Sequence, residues 1–277
     1  MTVGLKTQRI TNVLFSVITA NYNGGRFLEE AIRSVLLQKE ENGIELEYIV
    51  VDGMSTDCSA DIIRKYADQL SHVISERDTG PANAINKGLR VASGDVVSWL
   101  NADDRYLPGA FGRVRKMMKQ HPEAVLCFGR CPIIDENGNE IRWFITGFKE
   151  AFFPLSSLFA IQCINYVSQP ATFFRRLCIP KTGGLREDLA AAWDYDFLLR
   201  LWHLGRTIAV RGPALAEFRW RQDSISGQTF VQQFKEEYEL AASDAGKASP
   251  QSLLHWWVRW AIVSIYSMMT SRNKHDG

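Results

Sequence analysis

Apolar residues in the first half of the chain alternate between two patterns. Short, almost continuous apolar runs are typical of strands buried on both faces of a sheet. Between these runs, apolar residues recur every three or four positions, as they do on one face of a helix. The predicted strands are Phe15–Ala20, Leu46–Val51, His72–Ser75, Val96–Leu100 and Ala124–Phe128. Strands that alternate with helices predict right-handed β-α-β crossovers and a mostly parallel sheet.

The regular alternation ends after the last of these strands. Residues Ile133–Ile145 enclose the pair Asn137-Gly138 between two strand-like runs, which predicts a β-hairpin and a mixed sheet with an antiparallel addition. Phe148–Ile161 is rich in Phe and Leu without a clear period, and we expect it to form a wall or lid over the sheet. The remaining predicted elements are an apolar helix, two short strands and a polar surface helix, over Trp193–Leu204, Arg206–Arg211, Ala214–Trp220 and Gln228–Ala245.

The last apolar stretch, Leu253–Met269, is interrupted by only two strongly polar residues, His255 and Arg259. It is shorter than the ~20 apolar residues that a membrane-spanning helix needs. Its tryptophans, together with the basic Arg272 and Lys274 that follow, suit a helix lying in the membrane interface. A helix packed against its own domain, or against a second copy of the chain, suits the same pattern. The sequence leaves these alternatives open.

Composition excludes several classes of protein. The chain has 277 residues, 46% of them hydrophobic, which is enough for one sizeable α/β domain. The formal net charge is only +1, so a nucleic-acid partner is not expected. Five cysteines form an odd set without a C-x-x-C pair, which argues for a reducing compartment. Because Met1–Asn12 has no apolar signal-peptide core, we expect a cytoplasmic protein.

Polar side chains with chemical potential lie where the predicted strands end. They are Thr19 and Asn21, Asp52 with Asp57, Glu76 with Asp78, and Asn101 with Asp103 and Asp104. The carboxyl ends of parallel strands meet at one edge of a sheet, where ligands bind. Adjacent carboxylates such as Asp103 and Asp104 repel unless a cation lies between them, and Mg²⁺ or Mn²⁺ shared with a phosphate is the expected cation. The alternative is a solvated acidic turn in which Asp104 caps the next helix.

Seven short motifs between residues 13 and 226 resemble, in their order, the family-2 glycosyltransferases. They are F-S-V-I-T-A-N-Y-N, V-V-D-G-M-S-T-D, S-E-R-D-T-G-P-A-N-A-I-N-K-G, S-G-D-V-V-S-W-L-N-A-D-D, Q-P-A-T-F-F-R-R, G-G-L-R-E-D-L and A-W-D-Y-D-F-L-L-R-L. The resemblance implies the GT-A fold, a Rossmann-like mixed, mostly parallel sheet flanked by helices, with a C-terminal helical segment. It also implies an inverting enzyme that moves a single sugar from a nucleotide-sugar donor, linked to UDP, dTDP or GDP, to a hydroxyl of a glycan or lipid-linked acceptor. The expected setting is cell-surface polysaccharide biosynthesis.

The resemblance assigns nucleotide-binding roles on the donor side. Thr19 and Asn21 would border the nucleotide, and Asp52 would accept the imide N–H of a uracil or thymine ring. Asp78 would line the base and ribose pocket. Lys87 would face the diphosphate as a point charge, with an exposed helix lysine as the alternative.

The acidic signature of the family, usually D-x-D, begins here with Asn101, which we also expect beside the donor. The carboxylates that remain are Asp103, expected to touch the donor ribose, and Asp104, expected to hold the metal, Mn²⁺ or Mg²⁺. Either Arg219 or Arg221, in a loop that closes over the donor, would meet the diphosphate.

On the acceptor side, the resemblance makes Asp194 the catalytic base that removes the proton of the attacking hydroxyl. The alternative is that Asp194 caps its helix and Asp196 is the active group. Gln169 and Thr172 would line the acceptor site, and Trp193 would either stack on a sugar ring or belong to the core.

The expected organisation is a tail over residues 1–12 and one glycosyltransferase domain over 13–246. Its nucleotide-binding half covers 13–104 and its acceptor-binding half 105–246. The segment 247–277 would contact a membrane or a second copy of the chain. Two other classes stay open: a nucleotidyltransferase, and a catalytically silent membrane-associated scaffold of the same fold. A dinucleotide-dependent oxidoreductase is disfavoured because no G-x-G-x-x-G follows the first strand.

Overall fold

The computed structural model describes residues 12–41 and 43–260. Its strands are β1 (Val13–Asn21), β2 (Ile44–Asp52), β3 (His72–Ser75), β4 (Val96–Asn101), β5 (Arg105–Tyr106), β6 (Ala124–Gly129), β7 (Ile133–Ile134), β8 (Glu140–Ile141), β9 (Thr172–Arg175), β10 (Arg206–Val210) and β11 (Ala216–Arg219). Its α-helices are α1 (Gly25–Leu36), α2 (Ser59–Lys65), α3 (Pro81–Val91), α4 (Ala110–Gln120), α5 (Trp143–Ala151), α6 (Leu158–Cys163), α7 (Ile179–Thr182), α8 (Trp193–Leu204), α9 (Ile225–Gln228) and α10 (Phe230–Ala245). Residues 250–260 are also helical.

A seven-stranded sheet forms the centre of the molecule, in the order β10-β6-β9-β4-β1-β2-β3. Strand β9 runs antiparallel to both β4 and β6, and the other pairs are parallel. A smaller sheet in the order β5-β11-β7-β8 lies beside it. This mixed, mostly parallel sheet with helices around it confirms the predicted GT-A fold class.

The hairpin predicted around Asn137-Gly138 is confirmed, because β7 and β8 pair antiparallel with Ile133 opposite Ile141. Gly138 has a φ of +84°, which a residue without a Cβ adopts readily. The hairpin belongs to the smaller sheet, however. The antiparallel strand of the central sheet is β9, within a region for which the apolar pattern predicted no strand.

Aromatic side chains fill both faces of the central sheet. On one face, Trp99 packs edge-on against Phe174 and Phe197, with ring centroids 6.0 and 5.6 Å away. On the other face, Phe15 stacks on Phe111 at 4.7 Å. Burial on both faces explains why the parallel strands read as continuous apolar runs rather than as alternating ones.

Strand register brings the strand ends to one edge. Asn21 at the end of β1 is opposite Asp52 at the end of β2, and Asp52 is opposite Ser75 at the end of β3. On the other side of β1, Ala20 is opposite Asn101 of β4. The polar residues that follow these strands therefore share one rim of the sheet.

The predicted wall after Phe148 is built from α5, a short 3₁₀ turn and α6. The predicted C-terminal helix is described only to Trp260, where Leu253, Trp257 and Trp260 are each 58% exposed, and the rest of that prediction lies outside the described residues. The N-terminal tail up to residue 11 also lies outside them. In the part of the chain that the structure describes, no helix has the length and apolar character needed to cross a bilayer.

Candidate active site

A cavity of about 1040 Å³ opens at the carboxyl ends of β1 and β4. One wall is built by residues that follow the strands, and the opposite wall by α5, α8 and α10 and by helical residues 250–260. Of the predicted site residues, the lining includes Asn21, Asp78, Asn101, Asp103, Gln169, Trp193 and Asp194. Thr19, Asp52, Lys87, Asp104 and Thr172 do not line it.

Asn21 and Asp52 form a closed hydrogen-bond network with Ser55. The Asn21 amide donates to Asp52 Oδ1 at 2.7 Å and to Ser55 Oγ at 3.0 Å. Ser55 donates its hydroxyl to Asp52 Oδ1 at 2.6 Å and its backbone N–H to Asp52 Oδ2 at 3.0 Å. Asp52 is only 3% exposed, so it reaches the cavity through Asn21, whose buried Oδ1 has no partner among the described residues.

Asp78 reaches the same rim from the loop after β3. Its Oδ1 accepts the backbone N–H of Gly80 at 3.0 Å, and a Cβ at Gly53 would lie 2.4 Å from its Oδ2. A residue without a side chain at position 53 therefore allows the loops after β2 and β3 to approach each other.

Two predicted nucleotide contacts are engaged elsewhere in the fold. Thr19 is fully buried and its hydroxyl is 2.9 Å from the Tyr48 hydroxyl. Lys87 is 9% exposed, donates to the Arg77 carbonyl at 2.6 Å and pairs with Glu76 at 2.9 Å. Both side chains are engaged by neighbouring protein groups and do not line the cavity, and their expected contact with a nucleotide stays a prediction.

The acidic turn after β4 separates its two carboxylates. Asp103 faces the cavity, whereas Asp104 is 1% exposed and engages both of its carboxylate oxygens. Asp104 Oδ1 accepts the backbone N–H of Arg219 at 2.9 Å, and Oδ2 accepts the Asn101 amide at 3.0 Å. The geometry therefore favours Asp103 as the carboxylate that meets a ligand, and the expected contact of Asp104 with a metal stays a prediction.

The two arginines of the following loop have different surroundings. Arg219 is 2% exposed and donates to the carbonyls of Asp103, Asp135 and Glu136 and to the Glu30 carboxylate, so it holds the fold together. Arg221 lines the cavity, with its Nε 3.2 Å from Asp103 Oδ2. Both arginines line the cavity, and the expected contact of either with a diphosphate stays a prediction.

Burial changes the protonation of this turn. It raises the pKa of Asp103, against the opposing charge of Arg221. Burial raises the pKa of Asp104 further, well above its ordinary value, and the negative charge of Asp103 adds to that shift. A cation bound beside Asp103 would favour the ionised forms of both carboxyls.

The metal-ligating oxygens at this rim suit a divalent cation that is shared with a ligand. They do not form a site in which the protein alone holds a metal. In residues 12–41 and 43–260 there is no cluster of three or more His, Cys, Asp or Glu side chains able to hold a metal. Mg²⁺ and Mn²⁺ are commonly bound through one or two carboxylates, with substrate phosphates and water completing the shell. Asp103, with the amide of Asn101 beside it, supplies such a partial set.

Asp194 comes from the first turn of α8 on the opposite wall. Its Oδ1 accepts the backbone N–H of Tyr195 at 2.7 Å. Burial raises the pKa of Asp194 to about 6, against that hydrogen bond and the charge of Lys149. Asp196, the alternative, does not line the cavity and accepts the Arg200 guanidinium at 2.9 Å. A carboxyl that titrates near neutral pH in a cavity is suited to general-base chemistry.

The predicted acceptor residues lie between this wall and the sheet. Gln169 donates to the Trp99 carbonyl at 2.8 Å while still lining the cavity. Thr172 is 1% exposed and donates to the Gln169 carbonyl at 2.6 Å, so it orients Gln169. Trp193 is 8% exposed, packs 6.2 Å from the Trp99 ring and also lines the cavity, and its stacking on a sugar ring stays a prediction.

Lys149, Asn165 and Glu237 also line this wall, and the sequence did not indicate them as site residues. Glu237 is 3% exposed, and its pKa is raised to about 7, mainly by burial. Asn165 donates to it at 3.1 Å. None of the three follows a strand or belongs to a recognised motif, and Glu237 lies in a helix whose polar sequence indicated a surface position.

Together, the sheet order and the cavity at the strand ends define a protein of the GT-A fold class. The family model for glycosyl transferase family 2 matches residues 16–177. The chain belongs to this family.

Among curated relatives, the putative teichuronic acid biosynthesis glycosyltransferase TuaG of Bacillus subtilis is 40% identical over 96 residues, which cover 34% of this chain and 37% of TuaG. Relatives that align over 68–72% of the chain are 26–30% identical, and the alignments span 31–64% of their own lengths.

Two solved structures share the fold. TarS of S. aureus, residues 1–349 in complex with UDP-GlcNAc, has a TM-score of 0.68 at 20% identity, over 87% of this chain and 69% of TarS. The mannosyltransferase PcManGT of Pyrobaculum calidifontis, in complex with GDP-Man and Mn²⁺, has a TM-score of 0.61 at 18% identity, over 93% of this chain and 80% of PcManGT. At this level of identity the likeness shows the fold.

Proposed function

We propose that this protein is an inverting glycosyltransferase that moves one sugar from a nucleotide-sugar donor to a hydroxyl of a glycan or lipid-linked acceptor. The observation that carries the proposal is the shared cavity, in which Asp103 on the strand-end wall faces the same space as Asp194 on the helical wall. Membership of glycosyl transferase family 2 supports sugar transfer. The likeness to TuaG supports a role in cell-surface polysaccharide biosynthesis.

The donor nucleotide would lie on the strand-end wall. Asn21 Oδ1, which lacks a partner among the described residues, and the Asp78 carboxylate offer acceptors to the base and the ribose. The guanidinium of Arg221 would bind the diphosphate once a ligand competes for Asp103. The complexes of TarS with UDP-GlcNAc and PcManGT with GDP-Man support a UDP- or GDP-linked donor, with dTDP as a further option.

Asp194 would remove the proton of the acceptor hydroxyl while the oxygen attacks the anomeric carbon from the face opposite the diphosphate. The bond from the anomeric carbon to the diphosphate breaks in the same step, so the configuration inverts. Gln169 and Trp193 would hold the acceptor beside Asp194. The apolar and aromatic lining around them excludes water, which would otherwise compete as the attacking group.

We propose that Asp103, with Asn101 beside it, holds a Mn²⁺ or Mg²⁺ ion together with the donor diphosphate. When bound, the cation neutralises charge that develops on the leaving diphosphate. The Mn²⁺ in the PcManGT complex supports this assignment. Asp104 would fix the turn that carries Asp103, through its hydrogen bonds to Arg219 and Asn101.

A thermal-shift panel tests the donor class. UDP-GlcNAc, UDP-glucose, dTDP-glucose and GDP-mannose are each added with Mn²⁺, and the class that binds raises the melting temperature. The released product then separates the enzymatic alternatives. A glycosyltransferase releases the nucleoside diphosphate from the sugar, whereas a nucleotidyltransferase consumes a nucleoside triphosphate and releases pyrophosphate.

Stabilisation by nucleoside triphosphates alone would contradict the proposal. Donor binding without release of a nucleoside diphosphate, whichever acceptor is added, would favour the silent scaffold. Contact of residues 253–269 with a membrane or with a second copy of the chain stays a prediction, which vesicle flotation and sedimentation measurements address separately.

A further inference from the structure

Three helices place a charged side chain on the same wall of the cavity. Lys149 comes from α5, Asp194 from α8 and Glu237 from α10, and all three line the cavity. The charges of Asp194 and Glu237 both act on the Lys149 ammonium. The Lys149 ammonium therefore interacts electrostatically with two carboxylates from separate helices.

Lys149 is held in place by a neutral partner rather than by a carboxylate. Its Nζ donates to Ser168 Oγ at 3.2 Å. Among residues 12–41 and 43–260, this is the hydrogen bond that its ammonium makes. The carboxylates on the same wall act on Lys149 by charge, and donors remain on its ammonium for groups that enter the cavity.

Glu237 is held in place by two side-chain amides. Its Oε1 accepts the Asn165 amide at 3.1 Å and the Gln233 amide at 3.2 Å. The Asn165 Oδ1 atom is buried and has no hydrogen-bond partner in the part of the chain that the structure describes. The wall thus combines the Glu237 carboxylate, the Lys149 ammonium and the unpartnered Asn165 Oδ1 atom with Asp194. This arrangement is suited to binding and deprotonating a hydroxyl.

We propose that Lys149 is a positioning residue for Asp194: tethered by Ser168 and balanced by Glu237, its ammonium keeps the Asp194 carboxylate ionised between turnovers. The inference rests on the proposed function, in which Asp194 accepts the proton of the acceptor hydroxyl. In that step the O–H bond breaks, its proton moves to Asp194, and the C–O bond to the sugar forms. The bond between the anomeric carbon and the diphosphate oxygen breaks, and the diphosphate leaves with the electron pair of that bond. Without a nearby cation, a carboxyl in this buried place would hold its proton at neutral pH and could not act as a base.

Other ionisable side chains also lie at this wall. Burial lowers the pKa of the His255 ring, and both His255 and Arg259 line the cavity. Burial raises the pKa of Cys131, whose thiol lies near Lys149, and that of Tyr195 next to Asp194. These groups are present in the native protein and in every variant of Lys149 and Glu237, so a difference between the proteins reports the effect of the substituted side chain.

The experiment measures the titration of Asp194 directly, on the intact protein and without a ligand. Aspartate is labelled with ¹³C at the carboxyl carbon, and the Asp194 resonance is identified by its absence from D194N. In the native protein it should titrate near pH 6. In K149M we expect the midpoint to rise by about one pH unit or more, the effect of losing a nearby opposite charge. The same rise in the Asp194 midpoint is expected in K149Q. In K149R, which keeps the positive charge, the midpoint should equal that of the native protein.

Two further variants separate charge from loosened packing. Glu237→Gln removes a negative charge, so the Asp194 midpoint should stay or fall, whereas a general disturbance of the wall would move it as K149M does. Lys235→Met, which removes an exposed lysine from α10, should leave the midpoint unchanged. An unchanged midpoint in both K149M and K149Q, or a rise in E237Q equal to that in K149M, would overturn the proposal.

Activity is a separate readout. With the donor found in the thermal-shift panel, the acid limb of kcat/KM should move to higher pH in K149M by the same interval as the resonance. If D194N retained turnover, the proposed base would be wrong, while the effect of Lys149 on the Asp194 resonance would still be measurable. Movement of the resonance without movement of the activity limb would contradict the link between Lys149 and catalysis.

Discussion

The two walls of the cavity satisfy their polar groups in different ways. On the strand-end wall, Asp52 is saturated by Asn21 and Ser55, and both oxygens of Asp104 are engaged. On the helical wall, Asp194 and Lys149 are part-buried charged side chains from separate helices, and they act on each other by charge. A saturated network fixes geometry, whereas unbalanced buried charges shift proton affinities.

This difference matches the two tasks of a sugar transfer. Donor binding needs fixed acceptors at set positions, and the register of β1, β2 and β4 provides them. Deprotonation of an acceptor needs a base whose pKa lies near the working pH, and burial among helices provides that. Variants of one wall should therefore change donor affinity or stability, and variants of the other should change turnover or its pH dependence.

The largest effect is expected for Asp194→Asn. An amide cannot accept the proton of the acceptor, so turnover should fall by about 10²- to 10⁴-fold, the usual contribution of a general base. Donor affinity, measured by calorimetry with Mn²⁺ present, should stay within about twofold, because Asp194 lies on the other wall. Asp196→Asn is the matched comparison on the same helix. It breaks the pair with Arg200, so it should lower the melting temperature while the turnover of the folded protein remains. Near-normal turnover in D194N would refute the base assignment.

The next effect concerns the acidic turn. Asp103→Asn should weaken donor binding in the presence of Mn²⁺ by about ten- to a hundredfold, because the cavity-facing carboxylate is lost. Asp104→Ala should instead cost about 1–3 kcal/mol of folding free energy, because it leaves the Arg219 N–H and the Asn101 amide without their acceptor. Calorimetry and denaturant unfolding measure the two quantities. The reverse outcome would restore Asp104 as the metal ligand.

The sequence was informative about the strand-end wall because its signals are local. Each parallel strand ends in a polar turn, and the register then brings Asn21, Asp52 and Asn101 together without further information. The local sequence does not determine which carboxylate oxygen faces the ligand. The sequence of the turn does not predict that the backbone N–H of Arg219, 115 residues away, donates to Asp104.

The helical wall was predicted only in part. Asp194 was found through its motif, and the helix Trp193–Leu204 has the predicted bounds. Lys149 and Glu237 were missed because their importance depends on tertiary packing. Polar residues on α10 indicate a solvated face, and only its packing against α6 and α8 buries Glu237. The C-terminal prediction beyond Trp260 lies outside the described residues.

The buried charge on this wall should also affect stability. The pKa of Glu237 in the folded protein, about 7, lies above its ordinary value of 4.5. A carboxyl with a raised pKa contributes stability that is complete below pH 4.5 and is lost as the pH rises through 7. Glu237→Gln keeps the hydrogen-bond acceptor without the charge, so it should be more stable than the native protein by about 3 kcal/mol at pH 8 and close to it at pH 4.5. Urea unfolding at both pH values measures this. Glu239→Gln, at an exposed site on α10, should change neither value.

The smallest effect is the pH dependence of the native enzyme. Because Asp194 must be ionised to accept a proton and its pKa is about 6, kcat/KM should fall as the pH drops below 6 and be about tenfold lower at pH 5 than on the plateau. Unfolding is not the expected cause, since the raised pKa values of Asp194 and Glu237 favour the folded state as the pH falls. Release of nucleoside diphosphate is followed from pH 5 to 8, with tryptophan fluorescence recorded in parallel to show that the protein stays folded. Activity that remains constant down to pH 5 would mean that the group accepting the proton is an ordinary exposed carboxylate, and the distinction between the two walls would then lose its chemical basis.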